Sequence, residues 1–95
     1  MERCYYVYLL TNFTNSVIYT GVTNNLARRL EEHRSNAQPG FTSRYQVWKL
    51  VHAEVFDDPV SAITREKQIK GGSRLKKVKL IEAQNPTRRD LANEL

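Results

Sequence analysis

Two phenols, a guanidinium, an imidazole and a carboxylate are the groups of this sequence whose types and order could do chemistry together: Tyr8, Tyr19, Arg29, His33 and Glu66. Two phenols on one face can orient a water or take its proton, but an unperturbed phenol titrates near ~10 and needs a cation beside it at neutral pH. Arg29 or a metal ion would supply that cation. The plainer reading of the tyrosines is structural, because opposed aromatics stabilise antiparallel strands by ~0.2–1 kcal/mol per pair. Arg29 can equally be a snorkelling side chain, and His33 a packing residue rather than a base. Glu66 shares a helical stripe with Ala62, Ile63 and Ile69, and burying a carboxylate without a partner costs several kcal/mol, roughly. Its charge is met by Arg29 or a lysine in an ion pair, by a metal ion, or by solvent. Pattern leaves these three open.

The positions of these groups depend on a few short elements. The run CYYVYLL is rich in aromatic and β-favouring residues, VIYTG repeats that character, and TNFTNS between them has turn composition. A β-hairpin is predicted. Ten residues separate Tyr8 from Tyr19, so a two- or four-residue loop about Phe13 and Thr14 would set them directly opposite each other on one face. TNNLARRLEEHRSN predicts a helix capped by Thr23 or Asn24, with Leu26, Arg29, Leu30 and His33 along one side. Pro39 and Gly40 mark AQPGFTSRYQ as a basic surface loop, and VWKLVHAEVF predicts a third strand. A second helix starts with Asp58 as cap and Pro59 at its first position, stops at Gly71 and Gly72, and buries Ala62, Ile63, Glu66 and Ile69. SRLKKVKLIEAQ predicts a third, capped by Ser73, and Asn85 and Pro86 turn the chain into a last short segment.

Ninety-five residues make a single domain, 1–95, too small for a large enclosed pocket. Fifteen Lys and Arg against ten Asp and Glu leave a formal +5, the footprint of a polyanion partner. Arg28, Arg34, Arg44, Lys70, Arg74, Lys76 and Lys77 are candidates for contact with phosphates. Cys4 is the single cysteine, histidines do not cluster, and no apolar run approaches the ~20 residues of a membrane span. MERCYY lacks the apolar core of a signal peptide. These features predict a cytoplasmic, reduced protein without a disulfide, a metal cluster or a membrane segment.

Tyr6-Val7-Tyr8 and Tyr19-Thr20-Gly21, then NNLARRLEEH with Arg29, REKQIK with Glu66 and finally Asn85-Pro86 resemble, in that order, the motifs of the GIY-YIG nuclease superfamily. The likeness covers residues 5–90 and is nearest to the small stand-alone bacterial members. It departs from them at Tyr6, where the motif name has glycine, at Thr20, where it has isoleucine, at Val22, where DNA-repair members have lysine, and at Arg88, where small members often have tryptophan. The resemblance implies an α+β domain, a three-stranded antiparallel sheet flanked by helices. It implies a divalent-metal-dependent endonuclease acting on nucleic acid, DNA before RNA, and affinity supplied mainly by Lys and Arg on phosphates predicts low sequence specificity. By motif, Tyr8, Tyr19 or both position and deprotonate the attacking water, Arg29 stabilises charge on the scissile phosphate, and Glu66 holds one Mg²⁺ or Mn²⁺. Asn85 closes the site, while Gly21 lets the phosphate backbone come close. His33, Arg28, Lys70, Arg74 and Lys76 are assigned to the substrate. The alternative is a non-catalytic nucleic-acid-binding or adaptor module that retained the fold. A protein partner is compatible with either reading, and the oligomeric state is not implied.

Overall fold

The computed structural model describes residues 4–35 and 46–94. The basic loop expected at residues 37–46, Arg44 included, lies outside the described residues apart from Gln46. Strand β1 (Tyr5–Thr11) is central, with β2 (Ile18–Thr23) on one side and β3 (Lys49–Phe56) on the other, both antiparallel to it. The third strand begins two residues later than expected.

Tyr8 pairs with Gly21, and Tyr19 with Leu10, so the tyrosines are diagonal neighbours rather than directly opposite. The correction comes from the turn. Its six residues, 12–17, are organised by Asn12, whose Oδ1 accepts from the backbone N–H groups of Ser16 (2.9 Å) and Val17 (3.1 Å). Asn15 takes the left-handed conformation, φ 59°, which asparagine tolerates better than most residues. The loop is centred on Thr14 and Asn15 rather than on Phe13 and Thr14, and this one-residue shift moves the pairing by two and keeps parity, so both rings stay on one face.

That face and its reverse are covered by different helices. Tyr8 and Leu10 pack with Leu26 and Leu30 of α1 (Leu26–Arg34), with Val47 and Leu50, and with Leu91 and Ala92 of a 3₁₀ turn (Leu91–Glu94). On the reverse, Val7, Leu9 and Val51 pack with Ala62 and Ile69 of α2 (Pro59–Lys70) and Ile81 of α3 (Arg74–Gln84). The sheet is therefore a partition between two helical layers. Caps follow the side-chain chemistry: Asp58 accepts from Ser61 N–H and Ser73 from Lys76 N–H. At α1 the cap is Asn25, which accepts from Arg28 N–H at 3.1 Å, and not Thr23 or Asn24. Thr23 instead receives the N–H of Asn25. Ile63, expected inside, is exposed, because the buried stripe of α2 runs through Ala62 and Ile69 and leaves Ile63 at its margin.

β3 carries one extra residue against β1. Leu9 faces His52 and Leu10 faces Leu50, leaving Val51 as the bulge. Its carbonyl is taken by Asn85 Nδ2 at 3.2 Å. Nearby, Asp90 accepts from Leu50 N–H (3.2 Å) and from Arg34 (2.6 Å), which also donates to Trp48 O. Glu54 ties β3 to α2 by accepting two hydrogen bonds from Arg65, and it also contacts His52 at 2.8 Å. Arg65 foremost, and His52 after it, hold the Glu54 carboxyl below its usual range against the effect of burial.

Candidate functional site

On the α1 face, Tyr8, Tyr19, Arg29 and His33 form one cluster. The Tyr8 hydroxyl lies 3.0 Å from His33 Nε2, and the ring centroids are 6.2 Å apart for Tyr8 and Tyr19, 5.9 Å for Tyr8 and His33, and 5.4 Å for Tyr19 and His33. One turn of helix separates Arg29 from His33, so both side chains leave α1 on the side that Leu26 and Leu30 press onto the sheet.

Gly21 makes this arrangement sterically feasible. A Cβ on it would stand 2.5 Å from both Cζ and Oη of Tyr8. The room expected to admit a phosphate is filled by the phenol of the neighbouring strand. Tyr8 is 0% exposed, whereas the Arg29 side chain is 39% exposed and Tyr19 and His33 are partly open.

Burial pushes the Tyr8 phenol up to about 12, and the adjacent Arg29 guanidinium counters only part of the rise. On this phenol desolvation outweighs the Arg29 cation, so Arg29 by itself leaves Tyr8 protonated at neutral pH. His33 is lowered from its ordinary value, first by burial and then by Arg29, so its ring is neutral at pH 7. Arginine can only donate. The Tyr8 hydroxyl and His33 Nε2 share a hydrogen bond, with the Arg29 guanidinium beside the phenol oxygen. Arg29 is raised by Tyr8 in turn; it pairs with Glu32 at 3.7 Å, and its Nε is buried without a partner.

Glu66 belongs to the other helical layer, on the side of α2 that carries Ala62 and Ile69 toward the sheet. Its side chain is 13% exposed, and its ion pair is to Lys70 at 3.6 Å rather than to Arg29. Lys70 is itself 65% exposed, so the nearly buried carboxylate has a weakly held, solvent-screened cation for company. No three His, Cys, Asp or Glu side chains gather as a cation site among the described residues. A single, partly exposed carboxylate with only a screened cation beside it is nonetheless a ligand that suits a hard, oxygen-seeking cation.

Asn85 is 3% exposed, and its side chain is engaged by backbone: Nδ2 donates to Val51 O and Arg89 O, and Oδ1 accepts from Arg89 N–H. It fixes the start of the tail onto β3. Arg74 donates to the carbonyls of Ser16 (2.8 Å) and Asn15 (2.6 Å) and so clamps the β1–β2 loop from α3. Arg34 is likewise occupied by Trp48 and Asp90. Arg28 stands exposed on α1, 4.0 Å from Glu32, and Lys76 is exposed on α3, across the sheet from the tyrosines. Asp90 and the His52–Glu54–Arg65 network had no signature in spacing or periodicity.

The GIY-YIG catalytic domain model matches residues 4–79. A UPF0213 protein of Syntrophus aciditrophicus is 42% identical over 84 residues, 87% of this chain and 94% of that one. Another from Natronomonas pharaonis is 39% identical over 81 residues, covering 85% and 94%. The solution NMR structure of a UPF0213 protein from Bacillus halodurans superposes with a TM-score of 0.58 at 30% identity, over 88% of each chain.

Proposed function

Because the chain belongs to the GIY-YIG family, we propose that it is a divalent-metal-dependent endonuclease that hydrolyses phosphodiester bonds in nucleic acid, DNA before RNA, with low sequence preference. The observation that carries this reading is the Tyr8–His33 contact inside the Tyr8, Tyr19, Arg29 and His33 cluster. Such a cluster joins a fixed positive charge to hydroxyl and imidazole groups that can hold a water in line with a phosphorus. The Arg29 side chain is 39% exposed, and its open guanidinium surface is a natural partner for an anionic oxygen. Tyr19 and His33 reach solvent and take the water-positioning role. Tyr8, with no exposed surface, works one step behind them by holding the imidazole in one tautomer and orientation. Asn85 acts from further off, through the backbone it secures.

Glu66 is the residue that would hold Mg²⁺ or Mn²⁺, which when bound would supply charge stabilisation to phosphate oxygen and to the leaving alkoxide; it would do so from across the sheet, on a helix that packs against β2, the edge strand that carries Tyr19. Removing its charge while keeping its volume separates this role from a structural one. Glu66→Gln is expected to abolish Mn²⁺-dependent cleavage of flapped and single-stranded oligonucleotides, and to remove the rise in melting temperature that Mn²⁺ gives the parent protein. Turnover at the parent rate in this variant would overturn the assignment. A parent protein that binds DNA and never cleaves it with any divalent ion would favour the binding-module alternative.

Low specificity follows from what the domain lacks room for. Contacts through Lys and Arg to phosphates carry no sequence information. A sheet face cannot reach base edges the way a helix in the major groove does, so strands already unpaired or bent reach Tyr19 and His33 more easily than plain duplex does.

A further inference from the structure

Between Pro59 and Gln84, seven Lys and Arg stand against Glu66 and Glu82, a formal +5 that equals the charge of the whole chain. The remaining residues balance to zero. The charge of this protein is therefore a property of α2 and α3, which cover the face of the sheet turned away from Tyr8. Lys67, Lys76, Lys77 and Lys79 make no ion pair among the described residues, so their charge is not spent internally.

The two helices also enclose a cleft of about 200 Å³, lined by Arg65, Gln68, Lys76 and Lys77 over an apolar floor of Ile69 and Leu80. Glu54 holds Arg65 in place at this cleft by a two-pronged contact of 2.8 and 3.1 Å. A rigid guanidinium, an amide and two ammonium groups around a small concavity have the chemistry of a seat for a phosphate group.

We propose that the α2–α3 hairpin is a second nucleic-acid contact, gripping phosphodiester backbone on the face of the sheet opposite the tyrosine cluster, with one phosphate in the α2–α3 cleft. This rests on the nuclease reading only for the identity of the polyanion. An anionic membrane is the lesser fit, because an interfacial helix needs a broad apolar face with aromatic anchors. The exposed apolar residues here are aliphatic and few: Val60 and Ile63 on α2, Leu75 on α3. A protein with contacts on both faces binds two segments of one branched or folded nucleic acid, or bends one segment around the β2 edge.

The test is fluorescence anisotropy of a labelled random-sequence duplex in EDTA, where no cleavage occurs, at two salt concentrations. Charge reversal by Lys76→Glu, Lys77→Glu and Lys79→Glu together is expected to weaken binding by ~30-fold or more. It should also flatten the salt dependence by roughly 2–3 units of log K against log salt, at about 0.9 per lost phosphate contact. Arg28→Glu on the tyrosine face should cost about 3-fold by the same rule. Should the triple variant melt early, Lys76→Gln with Lys79→Gln carries the same expectation at roughly two contacts. Parent-like affinity and salt slope in the folded reversal variant overturn the proposal. So does tighter binding to phosphatidylserine vesicles than to duplex at equal salt. Absence of metal-dependent cleavage, with the anisotropy results as expected, defeats the nuclease reading and leaves this one standing.

Discussion

Gly21 and Tyr8 are one device made of two residues. The glycine's missing side chain is the space in which the phenol lies, and the phenol's position sets the orientation of His33. Gly21→Ala forces the end of a buried ring to move, so it should cost ~1–3 kcal/mol as overpacking does. It should also lower cleavage far more than Arg28→Ala does, because the displaced hydroxyl releases the imidazole. Denaturant melts and single-turnover rates of the two variants check this. The acid limb of the pH profile is set by His33. Its folded pKa lies below its ordinary value, so the neutral form contributes stability above ~6.5, and that contribution is lost as pH falls through the folded value. Protonation puts a second charge beside Arg29. The rate is therefore expected to hold down to about 6.5 and fall below it, and His33→Gln should remove that limb. A parent rate that instead halves well above that pH would place the titration elsewhere. The residue types of the cluster were legible in the sequence because motif order preserves them. The pKa directions were not, since burial of Tyr8 depends on a register and a layer that no single motif states.

At the scale of elements, hairpin, helices and third strand follow from turn residues, caps and periodicity, and the departures have physical causes. Asn12 binds two N–H groups in a turn centred one residue later than expected, which shifts the tyrosine pairing by two residues. Asn25 wins the cap from Thr23 because its carboxamide reaches the N–H of Arg28. The β3 bulge has no sequence signature of its own, and its partner lies 34 residues away at Asn85. Asn85→Ala should leave the Val51 carbonyl and the Arg89 groups unsatisfied, at ~1–3 kcal/mol for a buried polar group. Hydrogen exchange should then quicken at Leu50 and Ala92 before β1 is affected, because Asp90 holds those N–H groups from the loosened tail. Uniform destabilisation with no local quickening would mean that the amide is not what seats the tail.

For the whole molecule, the sheet separates the aromatic and imidazole cluster under α1 from the net charge on α2 and α3. No helix among the described residues is long and apolar enough to cross a membrane. One consequence of the strand order lies in time rather than space. β1, central and paired on both sides, leaves the ribosome first, and β2 can fold back on it as soon as Thr23 is free. The far edge of β1 must wait for β3, which is complete at Phe56. At ~5–20 residues per second the delay is roughly 2–7 s. Through that interval Tyr5–Thr11, which has no charged residue, shows one open row of backbone donors and acceptors. A nascent chain in this state is a template for other copies, so the protein's hazard during synthesis is concentrated in the strand that later becomes its most enclosed part.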